Sequence, residues 1–204
     1  MNIYIDLGAH KGVLLSQMIK HFKDIDMFIA FEPVPSLCRR MEKRIGNNPK
    51  VKIFNKAASC FDGQAVFYVD IKKKKDCGVG NGSTLIRGIY NKEIIIESVD
   101  FSKYLNENFK LTDNIVLKLD IEGHEYELLN HMIDTGSIKY INRIYCEWHK
   151  ARLINYIGDI NGVIKVHDDL ISDLKKNGFD LQGKNNTDEL SKIKKIVFAK
   201  ERLF

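Results

Sequence analysis

Lys118, Asp120 and Glu122 occupy every second position at the end of the apolar run Ile115 to Leu119, so on a continued strand they would share one face. Asp120 is the acid best placed to take a proton from a reacting hydroxyl, a task worth about 10²- to 10⁴-fold in rate. It could instead bind a ligand's ammonium group or cap the following helix. Glu147 and His149 stand just past a second apolar run, Ile141 to Cys146, and an imidazole there can accept a proton near neutral pH. Asp120 and Glu122 could together offer oxygens to a magnesium ion. Two carboxylates so close in sequence are weak grounds for a metal, however, and the histidines lack the H-E-x-x-H spacing of zinc enzymes. No metal is expected.

A second group of residues suits ligand binding. Asp6-Leu7-Gly8-Ala9-His10-Lys11-Gly12 follows the apolar start Ile3-Tyr4-Ile5, and glycines there allow a tight turn and close approach of backbone to a ligand. His10 and Val13 stand where G-x-G-x-x-G would need glycine, which disfavours a nicotinamide dinucleotide, and no G-x-x-x-x-G-K-[ST] sequence occurs. Glu32 closes the next apolar run, Met27 to Phe31. A carboxylate at that place can accept hydrogen bonds from both hydroxyls of a ribose.

The elements that must position these residues follow from periodicity. Short apolar runs at Ile3–Ile5, Met27–Phe31, Val51–Phe54, Ala65–Val69, Ile94–Val99, Ile115–Leu119 and Ile141–Cys146 read as strands. Three- and four-residue apolar spacing predicts helices from Val13, from Ser36 as a cap, from Tyr126, and around Leu170 to Leu174. Strands alternating with helices imply an α/β fold with a parallel sheet. Two last strands, Phe179–Gln182 and Ile193–Ala199, suggest a hairpin at one sheet edge. In such sheets the ligand lies beyond the carboxyl ends of the strands, which is where the residues above fall.

Composition sets the outer limits. The chain has 204 residues, 44% hydrophobic and 29% charged, with a net charge of +5; this suits one globular domain over 1–204 and excludes a disordered or disulfide-knotted chain. The longest apolar run is five residues, far below the roughly 20 of a membrane helix, and no secretory signal is evident, so a cytoplasmic location is expected. Cys38, Cys60, Cys77 and Cys146 have no C-x-x-C spacing and read as free thiols. The run Lys72 to Lys75 reads as a solvated loop tip, or as a contact for an anionic acceptor.

Asp6 to Gly12, Phe31-Glu32-Pro33, Asn55 to Ser59, Gly82 to Leu85 and Lys118 to Glu125 occur in an order that resembles the FkbM family of S-adenosylmethionine-dependent methyltransferases. The resemblance spans the chain from the first strand to about His149. It implies a class I methyltransferase (Rossmann-like) fold, with a seven-stranded, mostly parallel sheet and an antiparallel terminal strand, and it implies O-methylation of sugars or natural products. Asp6, Gly8 and Gly12, with Ala9 and His10 between them, would surround the methionine part of S-adenosyl-L-methionine. Glu32 would hold its ribose, and Ala57, Ala58 and Ser59 would lie near its adenine. His10 replaces the family's usual asparagine, leaving a backbone role intact. Many relatives carry helices before the first strand; without them, acceptor recognition would rest on loops or a partner subunit, and a homo-oligomer is compatible with this.

The leading expectation is therefore an O-methyltransferase acting on a small hydroxylated acceptor, with Lys118, Asp120, Glu122 and His149 as candidate catalytic residues. One competing reading is ribose methylation of RNA by Lys118, Asp120, another lysine and Glu147. A nucleic-acid partner is disfavoured, because a single lysine run without a recognised RNA-binding module is not a nucleic-acid signal. The other is a regulatory subunit that binds the cofactor without turnover.

Overall fold

The first strand sets the pattern for the rest. β1 (Asn2–Leu7) is buried along nearly its whole length: Ile3, Ile5 and Leu7 join one hydrophobic cluster, while Tyr4 joins another on the opposite face. A strand apolar on both faces belongs inside a parallel sheet covered by helices on each side. The computed structural model describes residues 1–69, 84–86 and 92–179, and within them β1 lies at the centre of such a sheet. Its order is β3-β2-β1-β7-β8, all parallel, with β2 (Met27–Phe31), β3 (Val51–Phe54), β7 (Asn114–Leu119) and β8 (Arg143–Cys146).

The chain runs outward from β1 to β3 on one side and from β7 to β8 on the other. The order therefore reverses between β1 and β7, and a crevice opens at their carboxyl ends. α1 (Val13–His21) and α2 (Pro35–Ile45) put Leu15, Met18 and Met41 beneath Tyr4 and Val116. On the other face, α3 (Phe101–Asn108), α4 (Glu125–Asp134) and α6 (Ile160–Lys176) bury Phe101, Leu128, Leu129 and Leu170 against Ile5 and Leu117. α5 (Lys150–Ile157) packs on α6.

A single sheet of seven strands is not what forms among the described residues. Three further strands, β4 (Ala57–Ser59), β5 (Gly63–Val69) and β6 (Lys92–Asp100), make a second sheet in the order β4-β6-β5, with β4 parallel and β5 antiparallel to β6. Asn55 stands at the crossing from the first sheet to the second. Its side-chain amide donates to the carbonyls of Glu32 and Pro33 at 2.8 and 3.0 Å, which holds the chain beside the end of β2 just before Ala57 to Ser59 pair with β6. The terminal strands and the Lys72–Lys75 run lie outside the described residues, apart from Phe179.

Two other expectations are corrected. Ser36 does not cap α2: the helix starts at Pro35, after Val34, with no side-chain cap. Proline suits a first helical turn because its missing N–H had no partner there. The strand carrying Lys118 ends at Leu119, so Asp120 and Glu122 reach the site from a loop rather than from one strand face. α3 and α5, short and without sustained apolar periodicity, were not foreseen.

One polar contact crosses the sheet centre. Register places Asp6 beside Lys118, and their side chains, both almost completely buried, meet at 2.9 Å. The Lys118 ammonium also contacts Asp120 at 3.3 Å and donates to the Gly8 carbonyl at 3.0 Å. Burial works against its charge, but Asp120 and Asp6 outweigh that and hold the ammonium above its ordinary range; burial in turn pushes the Asp6 carboxyl up despite Lys118.

Breaking such a pair from one side strands a buried charge, so Lys118→Met is expected to cost about 3–5 kcal/mol in chemical denaturation. Adding Asp6→Asn should return part of that loss, and a double-mutant cycle showing no coupling would remove the pair from the stability of the fold. Gly8 has φ +78°, and a Cβ there would collide with the Asp120 carbonyl oxygen. Gly8→Ala should accordingly destabilise the protein by more than about 2 kcal/mol in the same measurement.

Candidate active site

The crevice is built from the ends of β1, β2 and β7, with one wall from the second sheet. After Leu7 the chain turns sharply: the amides of Gly8 and Ala9 both donate to the Phe31 carbonyl, at 3.0 and 3.1 Å, and the Gly12 amide donates to Ala9 at 2.9 Å. Gly8, His10 and Gly12 all take positive φ. A histidine tolerates that region better than most side chains, and the His10 amide is thereby directed at Glu32 Oε2, 2.8 Å away. Its ring Nε2 is buried without a hydrogen-bond partner among the described residues.

Glu32 is buried and accepts two main-chain hydrogen bonds, from His10 on one oxygen and from Val34 on the other at 2.9 Å. Burial dominates over those two donors and over the Lys118 charge, and pushes the carboxyl up to about 7. Each oxygen keeps unused acceptor capacity.

A cavity of about 340 Å³ adjoins this carboxylate. Gly8, His10, Glu32, Ala57, Ala58, Asp120 and Glu122, all singled out from the sequence, line it. Asp6, Ala9, Gly12, Ser59, Lys118 and His149 are not on its surface. Asp6 and Lys118 sit behind the lining as the buried pair. Ser59 is fully buried and bonded at 2.9 Å to His124 Nε2, whose Nδ1 lies 3.2 Å from Glu127. With Nδ1–H donating to Glu127, Nε2 accepts from the Ser59 hydroxyl. The apolar lining of Phe31, Val34, Leu37, Phe67 and Leu85 was missed from the sequence, because nothing in their spacing separates a cavity wall from a core.

The opposite end of the cavity is acidic, and Glu125 organises it. This fully buried carboxylate accepts from the Ile121 amide at 2.9 Å, the Gly123 amide at 2.8 Å, and His149 Nδ1 at 2.9 Å. It thereby holds the loop carrying Asp120 and Glu122 against the residue that follows β8. A buried acid in the first turn of a helix behind a Gly123 turn is the signal that would have identified it.

His149 Nε2 then lies 3.3 Å from Glu122, and 3.9 Å from both Asp120 and Glu147. Burial lowers the imidazole pKa, but Glu125, Glu122 and Asp120 overcome that and raise it to about 9. The ring is therefore charged at neutral pH. Burial raises Glu122 in spite of His149 and of Arg152, 2.9 Å away. One end of the crevice can accept hydrogen bonds from hydroxyls, while the other can take a proton or a cation.

Residues 6–181 match the family model described as the methyltransferase FkbM domain. Among solved structures, the chain is similar to methyltransferase FkbM from Methylobacillus flagellatus KT, with 13% identity and a TM-score of 0.46. The match covers 80% of this chain and 38% of that one, so the chain spans well under half the length of that relative. No curated protein matches it significantly. No helix among the described residues is long and apolar enough to cross a membrane. With the family model covering nearly the whole α/β unit and the crevice alike, the chain belongs to the FkbM family of methyltransferases, which use S-adenosylmethionine.

Proposed function

We propose that the crevice holds S-adenosylmethionine and that the chain methylates a hydroxyl of a small acceptor, with a sugar or natural product as the favoured class. The observation that carries this reading is Glu32: a buried carboxylate raised to about 7 has too few donors in the protein alone, and a vicinal diol supplies two more. The remaining lining fits the same group. Gly8 leaves the backbone bare where a side chain could not stand, Ala57 and Ala58 offer a small apolar wall for a flat ring, and the volume lies within the roughly 300–1,000 Å³ of small-molecule sites. Glu32 would hold the ribose, and the turn from Gly8 to His10 would hold the amino-acid part.

Bound there, S-adenosylmethionine supplies an electrophilic methyl group. The chain's own residues then have three tasks. The apolar wall excludes water. The loop from Asp120 to Glu122, fixed by Glu125, would position the acceptor hydroxyl for attack on the methyl group, since alignment is the largest requirement of a displacement. Asp120, held through Oδ2 by Lys118, takes the hydroxyl proton. His149 is charged at neutral pH, so it is better suited to holding an oxygen or a negative charge than to accepting a proton.

Ribose methylation of RNA has less support, since the described lining contains no lysine and Lys118 is buried in its ion pair.

The deciding experiment is a mass-spectrometric screen for gain of one methyl group across sugar, glycolipid-precursor and RNA acceptors. A hydroxylated small molecule should be methylated. Cofactor binding with no methylated acceptor would favour a regulatory subunit, and methylated RNA would favour the competing enzyme. On the accepted substrate, Asp120→Asn should lower kcat by about 10²-fold or more with little change in cofactor affinity; a proportional loss of both would make Asp120 an anchor for the cofactor instead.

A pH test isolates Glu32. Diol binding favours the carboxylate, so it must displace the proton held below about pH 7. Calorimetric affinity for the demethylated cofactor should be flat above about pH 8 and fall toward tenfold per pH unit below pH 7. Glu32→Gln should weaken binding and abolish that slope; a slope that persists would place the titrating group elsewhere.

A further inference from the structure

Asp120, Glu122 and His149 come from two separate stretches, the loop after β7 and the start of α5, and each offers one donor atom within 4.8 Å of the other two. We propose that they form a site for one divalent cation of the manganese or magnesium class, and, resting on the methyl-transfer reading above, that this cation seats the acceptor's oxygen.

Three features support the assignment. The first is spacing. Donors bound about 2.1 Å from an ion lie about 3.0 Å apart at right angles and about 4.2 Å apart across it. His149 Nε2 is 3.3 Å from Glu122 Oε2 and 3.9 Å from Asp120 Oδ1, within that range and, for Asp120, beyond a hydrogen bond. The second lies outside the three residues. Glu125 takes the Nδ1–H of His149, the arrangement by which carboxylates orient metal-bound imidazoles, and the ion takes the place of the proton that Nε2 carries in its absence. Glu125 also ties down the Ile121 and Gly123 amides, so one buried side chain fixes both halves of the donor set. The third is access. Asp120 and Glu122 line the cavity, which leaves open coordination positions toward a ligand in it.

The protein's own cations leave room for this. Lys118 engages Asp120 through Oδ2, while Oδ1 is the oxygen turned to His149. Arg152 shares Glu122 Oε2, and a carboxylate has lone pairs for both. Glu147 Oε1, 3.9 Å from the same Nε2, adds negative charge at the rim. Two oxygens and one imidazole suit manganese better than calcium, which prefers an all-oxygen shell, and give an ion able to polarise a hydroxyl bound beside Asp120.

The test uses the whole chain freed of metal by chelation. Manganese(II) alone is titrated in, and free ion is read from its six-line electron paramagnetic resonance signal. One ion per chain should bind, with nitrogen modulation from a single imidazole in the pulsed spectrum. His149→Ala and Asp120→Asn should each weaken binding by at least about tenfold, whereas His131→Ala, at the separate contact with Asp100, should not. Glu122→Gln, which keeps the side chain's size, is a third variant should either of the first two unfold. Absence of stoichiometric binding up to about 1 mM, absence of nitrogen coupling, or unchanged affinity in the donor variants would overturn the site. Calorimetry of the cofactor in chelator separates the two proposals: cofactor binding without manganese binding sinks the cation site alone, and manganese binding without cofactor binding sinks the methyltransferase reading, and with it the cation's role toward an acceptor, while the cation site itself stands.

Discussion

A lysine ammonium buried at the centre of a sheet has no water to solvate it, and most of the crevice follows from how Lys118 is satisfied. Parallel register puts Asp6 beside it, and the Gly8 carbonyl and Asp120 complete its shell. That shell joins the end of β1 to the end of β7 at the point where strand order reverses. The turn after β1 therefore cannot drift from the loop after β7, and the absence of a side chain at Gly8 lets the two backbones close up. A charge that would be costly alone becomes a clamp once Asp6, Asp120 and the Gly8 carbonyl surround it.

Two buried glutamates show what the same physics does elsewhere. Glu125 takes three donors from the protein itself and acts as a brace. Glu32 takes only two, both amides, and burial leaves it short of donors. The difference is a matter of stoichiometry rather than residue type: a carboxylate completed by its own chain holds structure, whereas one left incomplete beside a cavity is available to a ligand.

The strands of the central sheet could be read from sequence because their apolar runs are continuous and bounded by polar residues, and the crevice could be located because glycines and acids follow those runs. Glu32 and Asp120 were visible for that reason. Two strands of the second sheet, β5 and β6, were visible in the same way, but their pairing with β4 apart from the central sheet was not, since strand pairing is a tertiary fact with no periodicity. His149 was named with Asp120 and Glu122 because each follows a strand, but their direct contact was not legible: His149 lies 27 positions after Glu122, and the pairing of β7 with β8 brings them together. The side-chain order Lys118, Asp120, Glu122 suggested a shared strand face, yet the group assembles through a loop because β7 ends at Leu119.

The separation into two sheets changes what the width of the crevice means. Glu32 and Asp120 directly follow strands of the five-stranded sheet, whereas Ala57 and Ala58 lie in the three-stranded one. Between them run the Asn55 amide bonds and the contact from Ser59 to His124. The gap is thus a seam between two sheets, set by these tethers together with the apolar contacts of Val34 and Leu37 against Ala57, Phe67 and Ile96. A substitution far along β5 or β6 that slides the smaller sheet by a fraction of an ångström resizes the slot while every polar group on the larger one keeps its place.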